Sequence, residues 1–76
     1  MRIEQALRLR PGMRVRCPED GTEPAYVGIV TREAGEPQED LLGSPFAWIT
    51  VREEGRSRQA VWPSNLLGLL SLDPES

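Results

Sequence analysis

The candidate binding residues of this chain are two tryptophans and two arginines in its second half, with two further aromatic side chains nearby. Indole rings and guanidinium groups can stack on a planar ligand or base, enclose a cation, or act as hot spots of a protein interface. If the fold brings these side chains to one face, they form a binding platform. The candidate set is Trp48, Arg52, Arg58 and Trp62, with Tyr26 and Phe46 as its rim.

The residue types that most often carry catalysis are absent or isolated. The chain has no histidine, and all nine of its basic residues are arginines. The commonest general base and metal ligand is therefore missing, and so is the amine needed for Schiff-base chemistry. Cys17 has no histidine partner, so we expect it to pack as a small core side chain rather than to act as a nucleophile. We predict a protein that is not an enzyme and holds no cofactor.

The acidic residues do not form a recognisable metal site. Glu53 and Glu54 are adjacent, and neighbouring side chains of a strand or turn point apart. Glu36, Glu39 and Asp40 lack the alternating spacing of a calcium-binding loop. Both groups are therefore predicted to be solvated, and no metal ligand is assigned.

The candidate platform depends on a predicted β-hairpin over residues 46–62. Aromatic and β-branched residues dominate its first arm, and Gly55 can supply the positive φ of a tight reversal. With a three-residue loop the two tryptophans share the outer face with both arginines, opposite a core face that contains Ile49 and Val61. With a two-residue loop Trp62 joins the core face instead. The first register separates apolar from polar residues better, and it is the one we adopt.

The remaining elements are short. Alternation predicts a half-buried strand over 13–17 and a second strand over 25–32, in which Gly28 suggests a bend or bulge. Residues 1–10 fit a helical face or a strand. The loop 33–45 is acidic and contains a Leu41–Leu42 pair that could pin it down. A 3-10 turn over 63–67, a last strand over 68–72 and a frayed tail over 73–76 complete the chain. The predicted core is Val15, Val27, Ile29, Ile49, Val51, Val61 and Leu66.

Composition limits the class of protein. Seventy-six residues are enough for one small domain, so we assign 1–76 to a single unit whose stability could benefit from self-association. The net charge of −3 argues against nucleic-acid binding, which depends largely on phosphate neutralisation. A single cysteine, no signal-like N-terminus and no long apolar run predict a cytoplasmic protein without a membrane segment.

The order of these elements resembles the SH3-like small β-barrels. The resemblance covers about 60 residues and rests on four loose motifs: Pro11–Arg16, Val27–Val30, Trp48–Val51 and Ala60–Leu66. It implies an all-β SH3-like barrel of about five short antiparallel strands, with a 3-10 turn before the last strand. Many unrelated functions share such folds, so the resemblance implies little about activity.

One enzyme family within this group is also similar to the chain, namely the plasmid-borne type II dihydrofolate reductases, which work as tetramers. Gly12–Arg16 looks like that family's entry strand, and Val61–Pro63 is similar to its isoleucine-tyrosine-proline segment. Ala60 stands where the family has the glutamine that holds substrate and cofactor, and Cys17 replaces a lysine. These departures argue against the family's cofactor chemistry, although they are compatible with its tetramer pore.

We therefore predict a non-catalytic binding or assembly module that uses the Trp/Arg face of its hairpin. A homo-oligomer is the expected partner, and a protein or peptide ligand is the next. Two alternatives remain open: a reductase-like tetramer, which would bind a nicotinamide cofactor, and a Tudor- or KOW-like module, which would bind single-stranded nucleic acid in a salt-dependent way.

Overall fold

The computed structural model of the chain describes residues 1–70 and shows an all-β architecture. One helical turn, α1 (Ile3–Ala6), precedes the strands. The strands are β1 (Arg14–Cys17), β2 (Tyr26–Val30), β3 (Gln38–Glu39), β4 (Pro45–Phe46), β5 (Trp48–Glu53), β6 (Gln59–Pro63) and β7 (Gly68–Leu69). A 3-10 turn (Ser64–Leu66) lies between β6 and β7, as expected. The predicted tail 73–76 and the end of the predicted last strand, 71–72, lie outside the described residues.

Five strands form the main sheet in the order β6-β5-β2-β1-β7, and β3 and β4 form a separate hairpin. Every pairing is antiparallel. The all-β prediction is confirmed, and the main sheet has the predicted number of about five strands, whereas the β3–β4 hairpin was not predicted. Within residues 1–70 no pairing joins the two end strands β6 and β7, so the sheet is open and the closed barrel stays a prediction.

The sheet nevertheless curls strongly. Trp62 pairs with Ile49, whereas Gly28 pairs with Glu53 at the other end of β5. Tyr26 lies two residues beyond Gly28 in β2. If the sheet were flat, Tyr26 would therefore be about 20 Å from Trp62, measured along the strand direction. The Trp62 indole instead donates a hydrogen bond of 2.9 Å to the Tyr26 hydroxyl. The concave side of the sheet therefore folds over itself and encloses the core.

The core lies on this concave side and differs in part from the predicted one. Its fully buried members include Val15, Cys17, Val30, Ile49 and Val51, with Ala6, Leu9 and Leu67 closing its ends. The predictions for Val15, Ile49 and Val51 are confirmed. The other four predicted core residues are not buried: Val27 and Ile29 are half-buried, and Val61 and Leu66 are exposed.

Strand pairing explains the error in β2. Val30 pairs with Val51, so Val30 and Gly28 face the core and Val27 and Ile29 face outward. Both faces of β2 are apolar, so alternation could not choose between them. The ladder passes through Gly28 without an inserted residue, so of the two predicted features, a bend or a bulge, the bulge is wrong.

The acidic loop is a second small hairpin. The Asp40 carboxylate accepts hydrogen bonds from the backbone of Leu42 and Ser44, which fixes the turn between β3 and β4. Leu41 and Leu42 stand at its tip with relative exposures of 103% and 91%. The expectation that this pair pins the loop to the core is wrong.

Candidate functional site

The register of the β5–β6 hairpin decides which candidate residues share a face. Ile49 pairs with Trp62 and Val51 with Ala60, and a bond of 2.9 Å from the Glu53 amide to the Arg58 carbonyl closes the loop. Four residues, 54–57, therefore lie in the loop. Both loop lengths considered from the sequence are wrong, although the face assigned to Trp62 by the two-residue loop is the one observed.

Trp62 consequently points to the concave side and does not share a face with Trp48. It is half-buried against the core, and its indole nitrogen is bonded to Tyr26. Burial is the largest effect on the Tyr26 phenol and raises its pKa. The prediction that Trp62 belongs to an exposed platform is wrong, because odd and even loop lengths place it on opposite faces. Trp62 and Tyr26 fasten the curled sheet.

The two candidate arginines are also separated. Arg58 faces the concave side, where its guanidinium pairs with the Glu23 carboxylate and lies 3.9 Å from Glu53. The pair with Arg58 lowers the pKa of Glu23. Arg52 remains on the outer face, and its guanidinium donates a hydrogen bond of 3.0 Å to the Arg56 carbonyl. Both arginines bind within their own chain and hold the ends of the hairpin loop.

Trp48 keeps its predicted exposed position. Its relative exposure is 43%, and its ring meets Phe46 edge to face, with 5.3 Å between ring centroids and 88° between planes. Phe46 itself is buried. Phe46 therefore supports the indole instead of forming an open rim, and it limits the orientations that Trp48 can adopt.

The outer face of the hairpin carries an apolar strip that the sequence analysis did not identify. Trp48 lies directly opposite Pro63, and Val61, with a relative exposure of 56%, lies one diagonal step away. The correct loop length would have predicted that Val61 is exposed, because the loop length decides whether the Val61 side chain faces the core or the solvent. We call Trp48, Val61 and Pro63 the apolar strip. Two of its three members belong to β6, an end strand of the sheet.

A polar cleft lies at the other end of the hairpin, beside its loop. It has a volume of about 280 Å³ and is lined by residues that include Glu23, Tyr26, Glu53, Arg56 and Arg58. Its charges are matched, since Arg56 and Arg58 both contact Glu53 and Arg58 also contacts Glu23. The cleft thus brings together two of the predicted site residues, Tyr26 and Arg58, in an ion-pair network.

Cys17 is buried beneath this region, as predicted. Burial raises the pKa of its thiol, and a hydrogen bond with the Tyr26 side chain acts in the opposite direction. A raised pKa lowers the thiolate population, and the thiolate is the nucleophilic form. Across residues 1–70, no three acidic or cysteine side chains are grouped so that they could hold a metal ion.

No family model, no curated protein and no solved structure matches the chain. Among the described residues, no helix has the length and apolar character needed to cross a bilayer.

Proposed function

We propose that this chain is a non-catalytic, SH3-like assembly module that associates with further copies of itself through the outer face of the β5–β6 hairpin. The observation that carries the proposal is the apolar strip, in which Trp48 and Val61 stay exposed beside the edge of β6 that no strand within residues 1–70 pairs. Trp is among the residue types that dominate binding energy at protein interfaces. An apolar strand at a sheet edge is, in addition, a ready template for pairing with another chain.

The architecture supports the SH3-like part of the proposal. The short antiparallel strands, the long segment between β2 and β5, and the 3-10 turn before β7 are the features that the resemblance implies. β7 pairs with β1, which returns the end of the described chain to the first strand. The Trp62–Tyr26 hydrogen bond curves the sheet in the direction that a barrel requires.

The environment of the reactive groups supports a binding role over catalysis. The only thiol is buried with a raised pKa, and the carboxylates in the cleft are paired with arginines. A general base is expected to combine a pKa near the operating pH with access to a substrate. Neither Cys17 nor Glu23 combines the two, since the first is buried and the pKa of the second is lowered.

The charge distribution favours association through β6. Charged residues make up 28% of the chain, yet none of the five residues of β6 is charged. Edge strands are commonly protected from pairing by lysine or other charges. β6 has only Pro63 at its end as a protective feature.

Light scattering on the parent protein and two variants tests the proposal. The parent is expected to be a dimer or larger, and Trp48→Ala should shift it to the monomer while the far-ultraviolet circular dichroism stays that of a β protein. Leu42→Ala is the matched control, because it removes an equally exposed apolar side chain from the other hairpin. A parent that is monomeric at high micromolar concentration would contradict the proposal, as would an unchanged mass for Trp48→Ala.

A further inference from the structure

The hydrogen bonds between β5 and β6 show which residues of β6 direct their backbone amide and carbonyl groups toward β5 and which direct them away from it. The Glu53 amide bonds the Arg58 carbonyl at 2.9 Å, and the Ser64 amide bonds the Ala47 carbonyl at 2.8 Å. In an antiparallel pair, alternate residues point their amide and carbonyl toward the partner strand. Ala60 and Trp62 therefore bond β5, like Arg58 and Ser64.

The residues between them point their backbone groups away from β5. These are Gln59, Val61 and Pro63, and no strand of the described chain pairs with them on that side. Gln59 and Val61 each present one amide and one carbonyl, whereas Pro63 presents a carbonyl only. The free edge is therefore a row of five groups, centred on Val61.

We propose that β6 pairs with β6 of a second copy in antiparallel orientation, across a two-fold axis at Val61; this inference rests on the proposed function. Each Val61 amide bonds the carbonyl of the partner's Val61, and each Gln59 amide bonds the carbonyl of the partner's Pro63. All four edge amides of the pair then have an acceptor. The missing amide of Pro63 leaves only the Gln59 carbonyls to water.

The side chains fit the same axis. The Val61 side chains of the two copies become direct neighbours on the outer face, so each apolar strip continues into the strip of the other copy. Of the residues 57–65, only Arg58 is charged, and it comes to lie opposite the partner's Ser64. No like charges meet across the axis, and the two five-stranded sheets join into one.

A cysteine at the axis tests this register. The Cα atoms of a hydrogen-bonded antiparallel pair are about 5.5 Å apart, which is within the range of a disulfide. Val61→Cys should therefore give a covalent dimer under mild oxidation. Gln59→Cys is the matched control, because it lies on the same edge but about 13 Å from its own copy in this register. It should remain uncrosslinked, as should the parent, whose Cys17 is buried.

Proline at the axis tests the backbone bonds independently of any crosslink. Val61→Pro removes an amide that does not bond β5, and edge strands tolerate proline at such positions. Loss of two hydrogen bonds per dimer should raise the dimer Kd by about 30-fold or more. Val61→Thr keeps the amide and the β-branched shape, and its Kd should stay closer to that of the parent.

The outcomes separate the two proposals. If the parent is oligomeric and loses mass in Trp48→Ala, but Val61→Cys does not crosslink and Val61→Pro keeps the parent Kd, the edge pairing is refuted and self-association stands. Crosslinking of Gln59→Cys with itself would also refute the pairing, because it requires another register. A monomeric parent refutes both.

Discussion

Replacing Gly28 with alanine tests the packing that sets the curvature of the sheet. Gly28 is buried on the concave face of β2, where an added Cβ would lie 2.9 Å from the Val51 Cβ and 3.0 Å from the Cys17 Sγ. The Val51 Cβ is attached directly to the backbone of β5 and cannot rotate away, so the two central strands must separate. Overpacking of this kind costs about 1–3 kcal/mol.

Thermal unfolding measures this cost. For a domain of this size each kcal/mol corresponds to about 4–8 °C, so the Tm of Gly28→Ala should fall by about 4–24 °C. Parent and variants must be compared at one protein concentration, because self-association would make Tm depend on it. Gly35→Ala is the matched control, since the nearest atom to its added Cβ is the Trp48 carbonyl oxygen at 3.8 Å. The control should stay within about 0.5 kcal/mol of the parent.

A double variant links the cost to the named contacts. Cys17→Ala removes the sulfur that the new methyl group would meet, so the combined loss for Gly28→Ala and Cys17→Ala should be smaller than the sum of the single losses. Residues in contact typically couple by about 0.5–3 kcal/mol. Strict additivity would refute the contact with Cys17 of β1, and a Gly28→Ala variant that melts with the parent would refute the close approach of β2 to β5.

Two further predictions concern the hairpin loop and the thiol. Gly55 has φ of 81°, as predicted, so Gly55→Val should lower the free energy of unfolding by about 1 kcal/mol or more in urea titrations, and an unchanged midpoint would contradict this. Cys17 is buried with a raised pKa, so at pH 8 it should react with a thiol reagent roughly 1,000-fold more slowly in the native protein than in urea. Equal rates would place it at the surface.

The sequence was sufficient to predict those elements that are determined by their own residues. In β1, arginines alternate with Val15 and Cys17, and the structure exposes the arginines and buries the other two. Gly55 and the 3-10 turn at Ser64–Leu66 are likewise local features, and both predictions are confirmed. A single polar-apolar alternation or a single required φ determines each of these elements without reference to the rest of the chain.

The 3-10 turn also contains a feature that its own residues could not predict, namely which of its leucines is buried. Leu66 and Leu67 are adjacent and equally apolar, and only the direction in which the turn leaves β6 decides which of them meets the core. The structure buries Leu67 and exposes Leu66. That direction follows from the Ser64–Ala47 hydrogen bonds, in which the buried Ser64 hydroxyl accepts the Ala47 amide. Such a contact between residues 17 positions apart has no signature in either segment alone.

The candidate site could not be predicted from local sequence either. Which side chains share the outer face depends on whether the hairpin loop has an odd or an even number of residues. Every residue from Glu53 to Arg58 is polar or glycine, so hydrophobic patterning cannot fix where the strands end. A positive φ at Gly55 fits several loop lengths. The hydrogen bond from the Arg56 amide to the Glu53 carbonyl defines a β-turn over residues 53–56, in which Gly55 is the third residue. Moving the pairing by one residue exchanges Trp62 for Val61 on the outer face. The exchange replaces the predicted platform with two indoles by an apolar edge strand. The partner expected from the sequence, a second copy of the chain, therefore stays the first to test, but the surface that would bind it is a different one.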